Sequence, residues 1–204
     1  MSRGTACLSR RGLIGMHTAG FTLVELMVTV AVAAILMAIA FPNMVGLING
    51  QRLTSQANEL VVALQSARMD AIRFNRRVIV CKSTNGTSCD TAGGAWSRWV
   101  TYVDTDGNGL LTNANEVLRT GTIRDQVSLL ASPAISGNSQ RIVYGADGLA
   151  RDGAGSLLRG ALSVCKATSQ PTENIRLVQL VSGSRVAVTA ADGGASCATP
   201  ANPA

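Results

Sequence analysis

Residues 20–42 read GFTLVELMVTVAVAAILMAIAFP. From Leu26 to Phe41 only Thr29 is polar. A helix running from Phe21 to Phe41 would be roughly 30 Å long, the thickness of a bilayer's hydrocarbon core. One acid, Glu25, sits near its start. An unpaired charge there costs on the order of 2–3 kcal/mol. Glu25 therefore either snorkels to the interface of a plain signal anchor or meets a cationic partner.

The residues around that acid, Gly20-Phe21-Thr22-Leu23-Val24-Glu25-Leu26, resemble the processing site of type IV pilins and type II secretion pseudopilins. The resemblance implies that prepilin peptidase cuts after Gly20 and methylates the new terminus at Phe21. It also implies that Glu25 serves assembly. Cleavage would create an amine on Phe21, which Glu25 of a neighbouring subunit would neutralise inside a low-dielectric helical bundle. Pro42 should end or kink the membrane helix, and Gly46 and Gly50 should loosen the chain beyond it. A proline at this place extends the resemblance.

Residues 1–20 then form a leader peptide with Arg3, Arg10 and Arg11 and no acid. A secretory signal places its apolar region before the cut. Here that region comes after it, so the anchor is retained. The basic leader faces the cytoplasm and the rest lies outside. This describes a single-pass protein of the bacterial inner membrane with a periplasmic domain. Met16 is an alternative start that would discard the arginines, whereas His17 and Cys7 fall in the leader and need no function. Removing the leader lowers the formal charge from +6 to +3 and leaves 184 residues. So mild a charge permits an anionic partner without arguing for one.

Beyond the membrane stretch (residues 21–42), Leu53, Ala57, Leu60, Leu64, Ala67 and Ala71 recur at three- and four-residue spacing, widened by Val61 and Ile72. This stripe predicts that residues 43–76 hold the amphipathic second half of one long helix. Arg68, Arg73, Arg76 and Arg77 crowd its end, where they should oppose the helix dipole and stay solvated. The period then changes. Residues 77–82, 96–103, 126–131, 141–144, 161–166, 174–181 and 184–188 read as short strands between Gly, Asn, Asp and Ser turns, with 117–120 a weaker one. The expectation is an α+β fold, a long N-terminal helix packed against antiparallel sheets. Residues 77–191 form its β-rich periplasmic domain, and residues 192–204 a loose tail.

The strand Val78-Ile79-Val80-Cys81, the tryptophan strand running into Val103-Asp104-Thr105-Asp106-Gly107-Asn108-Gly109, and the closing Asn115-Glu116-Val117-Leu118-Arg119 resemble the GspH/FimT group of minor pseudopilins and minor pilins. That implies a structural subunit of a type II secretion pseudopilus or type IV pilus, acting in filament assembly or at its tip. Its partners would be other pilins or pseudopilins through the N-terminal helix, prepilin peptidase and the inner membrane. Some relatives bind DNA in natural transformation through a Gly-Arg-x-Arg pattern, which makes a DNA-binding minor pilin the alternative. The corresponding place is Gly183-Ser184-Arg185-Val186-Ala187. It lacks the second arginine, leaving Arg185 with Arg176 as the DNA contacts.

Asp104, Asp106 and Asn108 imitate the start of a calcium loop, but position twelve is Asn115 and Glu116 comes one late. A polar hairpin turn accounts for them better, so no metal or other cofactor is expected. Cys81, Cys89, Cys165 and Cys197 are an even number in an exported domain, without a CxxC pair or a mature histidine for zinc. Three disulfide pairings exist; sequence proximity favours Cys81–Cys89 and Cys165–Cys197. Without that histidine, Ser-His and Cys-His nucleophile pairs are excluded. No phosphate-cradling glycine motif appears either. A non-enzyme is expected.

Overall fold

A computed structural model describes residues 20–204, with the backbone alone described at 41–43. Arg3, Cys7, Arg10, Arg11, Met16 and His17, which the sequence places in the leader, lie outside the described residues. Helix α1 spans Leu23–Phe74. Compact packing divides the chain after Phe41, and the second unit is Pro42–Ala204.

In the first unit, Leu23–Ala40 is an 18-residue window of mean hydropathy 2.5, none of it buried. Thr22 caps the helix: its hydroxyl accepts from the Glu25 N–H at 3.2 Å, and its carbonyl from the Leu26 N–H. The Thr29 hydroxyl donates to the Leu26 carbonyl, so the one uncharged polar residue of the span is satisfied within the helix. Pro42 does not end the helix. The helical backbone passes through it to Phe74.

In the second unit the helix continues to Phe74, where Asn75 takes a left-handed conformation (φ 50°) and ends it. Leu53, Ala57, Leu60, Ala63, Leu64, Ala67 and Ala71 are buried along one face. Ile72, read as part of that stripe, is instead half-exposed. Gly46 and Gly50 do not interrupt the helix; they face the loop at Gln170 and Pro171, where Asn49 donates to the Gln170 carbonyl at 2.9 Å.

Among the described residues nine strands make two antiparallel sheets. The five-stranded sheet runs β3 (Val117–Thr122), β2 (Arg98–Val103), β1 (Val78–Ser83), β5 (Arg141–Tyr144), β6 (Ala150–Arg151). The four-stranded sheet runs β4 (Ser128–Ala131), β7 (Gly160–Cys165), β8 (Ile175–Val181), β9 (Arg185–Ala191). The weak segment at 117–120 is thus a strand at a sheet edge. Trp96 lies before β2 and makes only an isolated bridge to Leu129. The two-residue β6 and the short helix α2 (Pro133–Ser136) escaped the sequence reading because neither is long enough to show a period.

Strand alternation divides β1 between two cores. Val78 and Val80 join the main cluster with the helix stripe, Ile142, Leu162 and Leu180. Ile79 and Cys81 join Val100 and Tyr102 in a smaller cluster on the other face. The tail is not loose. Cys165–Cys197 ties it to β7, Asn202 accepts from the Ala134 N–H at 3.0 Å, and Pro200 is buried.

Candidate functional site

The N-terminal site is exposed along its length. A side chain at Gly20 would meet nothing within 4 Å, and Phe21 is 72 % exposed immediately before the helix. Glu25 is also exposed, in the first helical turn, three residues after the Thr22 cap. A carboxylate there complements the positive end of the helix dipole. The Thr22-x-x-Glu25 spacing was a legible capping signal in the sequence.

Both disulfides join cysteines across short chain distances. Cys81–Cys89 closes an eight-residue separation, with Cys81 fully buried in the smaller core. Its loop is held by the buried Lys82, whose ammonium lies 3.1 Å from Asp90 and donates to the Ala92 and Gly93 carbonyls. The Ala92 N–H, followed by Lys82, keeps the Asp90 carboxyl below its ordinary pKa. Cys165–Cys197 spans 32 residues.

The calcium-like turn serves as a polar hub. Asp104 is buried, pairs with Arg77 at 2.7 Å and accepts from the Gly109 N–H. Asp106 accepts from Asn108, and Asn108 from the Leu110 N–H. Glu116 gathers Thr105, Thr112 and Asn113. The Thr105 hydroxyl, followed by those N–H groups, holds the Glu116 carboxyl below its ordinary range. The candidate ligands Asp104, Asp106 and Asn108 are thus engaged in turn geometry. Among the described residues no three His, Cys, Asp or Glu side chains converge on a metal position.

Two expectations about arginines need correcting. Arg76 and Arg77 are not simply solvated, since they donate to the Thr105 and Gly107 carbonyls and pin the turn to the helix end. Nothing in the sequence spacing signalled this, because about thirty residues separate the partners. Arg176 and Arg185 do not form one patch. Arg185 pairs with Val181 across the β8–β9 hairpin, five residues from Arg176. The strand rise puts them roughly 17 Å apart. Arg176 instead donates to the carbonyls of Glu173 and Ile175.

A long helix laid with its second half against two antiparallel sheets, preceded by an exposed apolar half, defines the pilin-like class of α+β proteins. The family model described as Type II transport protein GspH matches residues 56–194, and the prokaryotic N-terminal methylation motif matches residues 15–41. The chain belongs to the GspH family. Among solved structures it is similar to the type IV minor pilin FimU of Pseudomonas aeruginosa, at 17 % identity and TM-score 0.50, covering 68 % of this chain and 89 % of that one. It is also similar to the minor pseudopilin EpsH from the type 2 secretion system of Vibrio cholerae, at 12 % identity and TM-score 0.46, covering 68 % and 97 %. A search of curated proteins returned no match. The expected fold class holds, and the family makes the chain a structural subunit of a pilus or pseudopilus. None of these findings supports the DNA-binding alternative.

Proposed function

We propose that the chain is a minor pilin or pseudopilin, cut by prepilin peptidase after Gly20 and methylated on Phe21. It then sits in the inner membrane by its N-terminal helix, with the domain from Pro42 onward in the periplasm, until it is incorporated near a filament tip. Its role is assembly and contact, not catalysis. The observation that carries this reading is the exposed window Leu23–Ala40, whose one charge, Glu25, stands within the methylation motif. In a filament that apolar surface is covered by other subunits' helices. Glu25 then pairs with a neighbour's Phe21 amine, which offsets the cost of its desolvation.

Mass spectrometry of the mature chain tests the processing step. The expected N terminus is methylated Phe21, and Gly20→Val should leave the uncut precursor. Glu25→Ala should be cut and inserted normally yet co-purify poorly with partner pilins; undiminished co-purification would refute the pairing role. Deleting the gene and scoring protein secretion, twitching motility and DNA uptake side by side assigns the machine.

A further inference from the structure

A cleft of about 270 Å³ lies where helix α1 meets the turn between β8 and β9, lined by Leu64, Gln65, Arg68, Tyr144, Ser184, Arg185 and Val186. Gly183 and Ser184 take left-handed backbone conformations, φ 70° and 58°. The turn they form is fixed at two points. The Ser184 hydroxyl accepts from the Ala150 N–H at 2.6 Å, and its carbonyl from Arg68 at 3.4 Å. Arg185 comes directly after this turn, so its backbone is held in place against the helix.

The charges in the cleft are unbalanced. Two guanidinium groups line it and no acid does. Among the described residues the four ion pairs are Arg77–Asp104, Lys82–Asp90, Arg119–Asp70 and Arg151–Asp147, and none includes Arg68 or Arg185. Tyr144 is wholly buried, yet its hydroxyl has no hydrogen-bond partner. Burial raises its pKa, more than the charge of Arg68 lowers it, so the phenol stays protonated and able to donate. A buried donor without an acceptor carries a desolvation penalty that a ligand oxygen would relieve.

We propose that this cleft binds a carboxylate, delivered by an acidic side chain of a neighbouring subunit; the identity of that donor rests on the filament role argued above. Two guanidinium forks match the planar, two-oxygen geometry of a carboxylate. Leu64 and Val186 supply apolar walls for the methylenes of an Asp or Glu side chain. A nucleic-acid backbone needs a row of cations. Here Arg176 lies at the far end of the hairpin, and Arg76 and Arg77 are bound to the Asp104 turn.

The chain has two tyrosines, Tyr102 and Tyr144. Ring-¹³C tyrosine labelling of the full mature chain in non-ionic detergent therefore gives one reporter and one internal control. Glutarate should shift the Tyr144 resonance, assigned with Tyr144→Phe, with a millimolar midpoint and leave Tyr102 in place. Arg185→Gln alters an exposed side chain and should raise that midpoint at least tenfold. Absence of a Tyr144 shift with glutarate overturns the site, whatever the filament role. A shift with inorganic phosphate alone overturns the carboxylate assignment, and a response to duplex DNA at lower concentration than glutarate overturns it in favour of nucleic acid. In cells, a photo-cross-linker at Gln65 should capture a partner subunit and lose it in Arg185→Gln. Glutarate binding without any such cross-link overturns the subunit as the donor, while normal processing and co-purification would show the filament role itself intact.

Discussion

The two disulfides differ in the length of chain they close, which makes their relative contributions predictable. In the chain-entropy account, a separation of 32 residues for Cys165–Cys197 gives about 3.7 kcal/mol, and eight residues for Cys81–Cys89 gives about 2.5 kcal/mol. The packing losses should nearly cancel in the comparison. Cys81 and Cys165 are both fully buried, and Cys89 and Cys197 are both half-buried. The paired variants Cys165→Ala/Cys197→Ala and Cys81→Ala/Cys89→Ala, made in a fragment beginning at Pro42, should therefore differ by about 1 kcal/mol. The long loop should matter more. Urea unfolding followed by tryptophan fluorescence and far-ultraviolet circular dichroism measures this, and the long-loop variant should melt about 10 °C below the parent. Equal losses, or the reverse order, would refute the loop-entropy argument. A loss below about 1 kcal/mol in the long-loop variant would mean that the tail detaches without the core.

Three further outcomes are expected from particular contacts. A Cβ at Gly121 would overlap the Trp99 indole, so Gly121→Ala should cost about 1–3 kcal/mol and shift the tryptophan emission, read by denaturant titration. Arg77→Gln leaves the buried Asp104 carboxylate without its cation. It should cost about 2 kcal/mol, clearly more than Arg76→Gln, whose partner is a single backbone carbonyl, and paired thermal melts compare them. Hydrogen bonds from Arg151, then the Leu149 N–H, hold the Asp147 carboxyl at about 2, against an ordinary 3.8. Its contribution is thus present above pH 4 and lost as pH falls toward 2, so Asp147→Asn should flatten that part of the acid limb in a pH series of urea midpoints.

The features legible in the sequence were those whose cause is local. The apolar run after Gly20, the three- and four-residue stripe from Leu53 to Ala71, and the Val-rich strands each show a period within a short window. That sufficed for a long helix succeeded by antiparallel strands. The nearness of Cys81 to Cys89 and of Cys165 to Cys197 favoured one pairing without requiring it. The same local reading misjudged Ile72, which sits at the margin of the stripe and is half-exposed. Of the two outcomes expected at Pro42, ending the helix does not occur, because the 52-residue helix continues through it.

Only the tertiary structure decided the contacts between residues far apart in the chain. Arg77 reaches Asp104, Gly121 makes room for Trp99, and Asn202 receives the Ala134 N–H at the start of α2. The β8–β9 register separates Arg176 from Arg185, while the turn beside Arg185 brings it to the same cleft as Arg68 and Tyr144. Side-chain periodicity reveals which face of an element is buried. It carries no information about which element covers that face, because pairing and packing depend on chain closure over tens of residues.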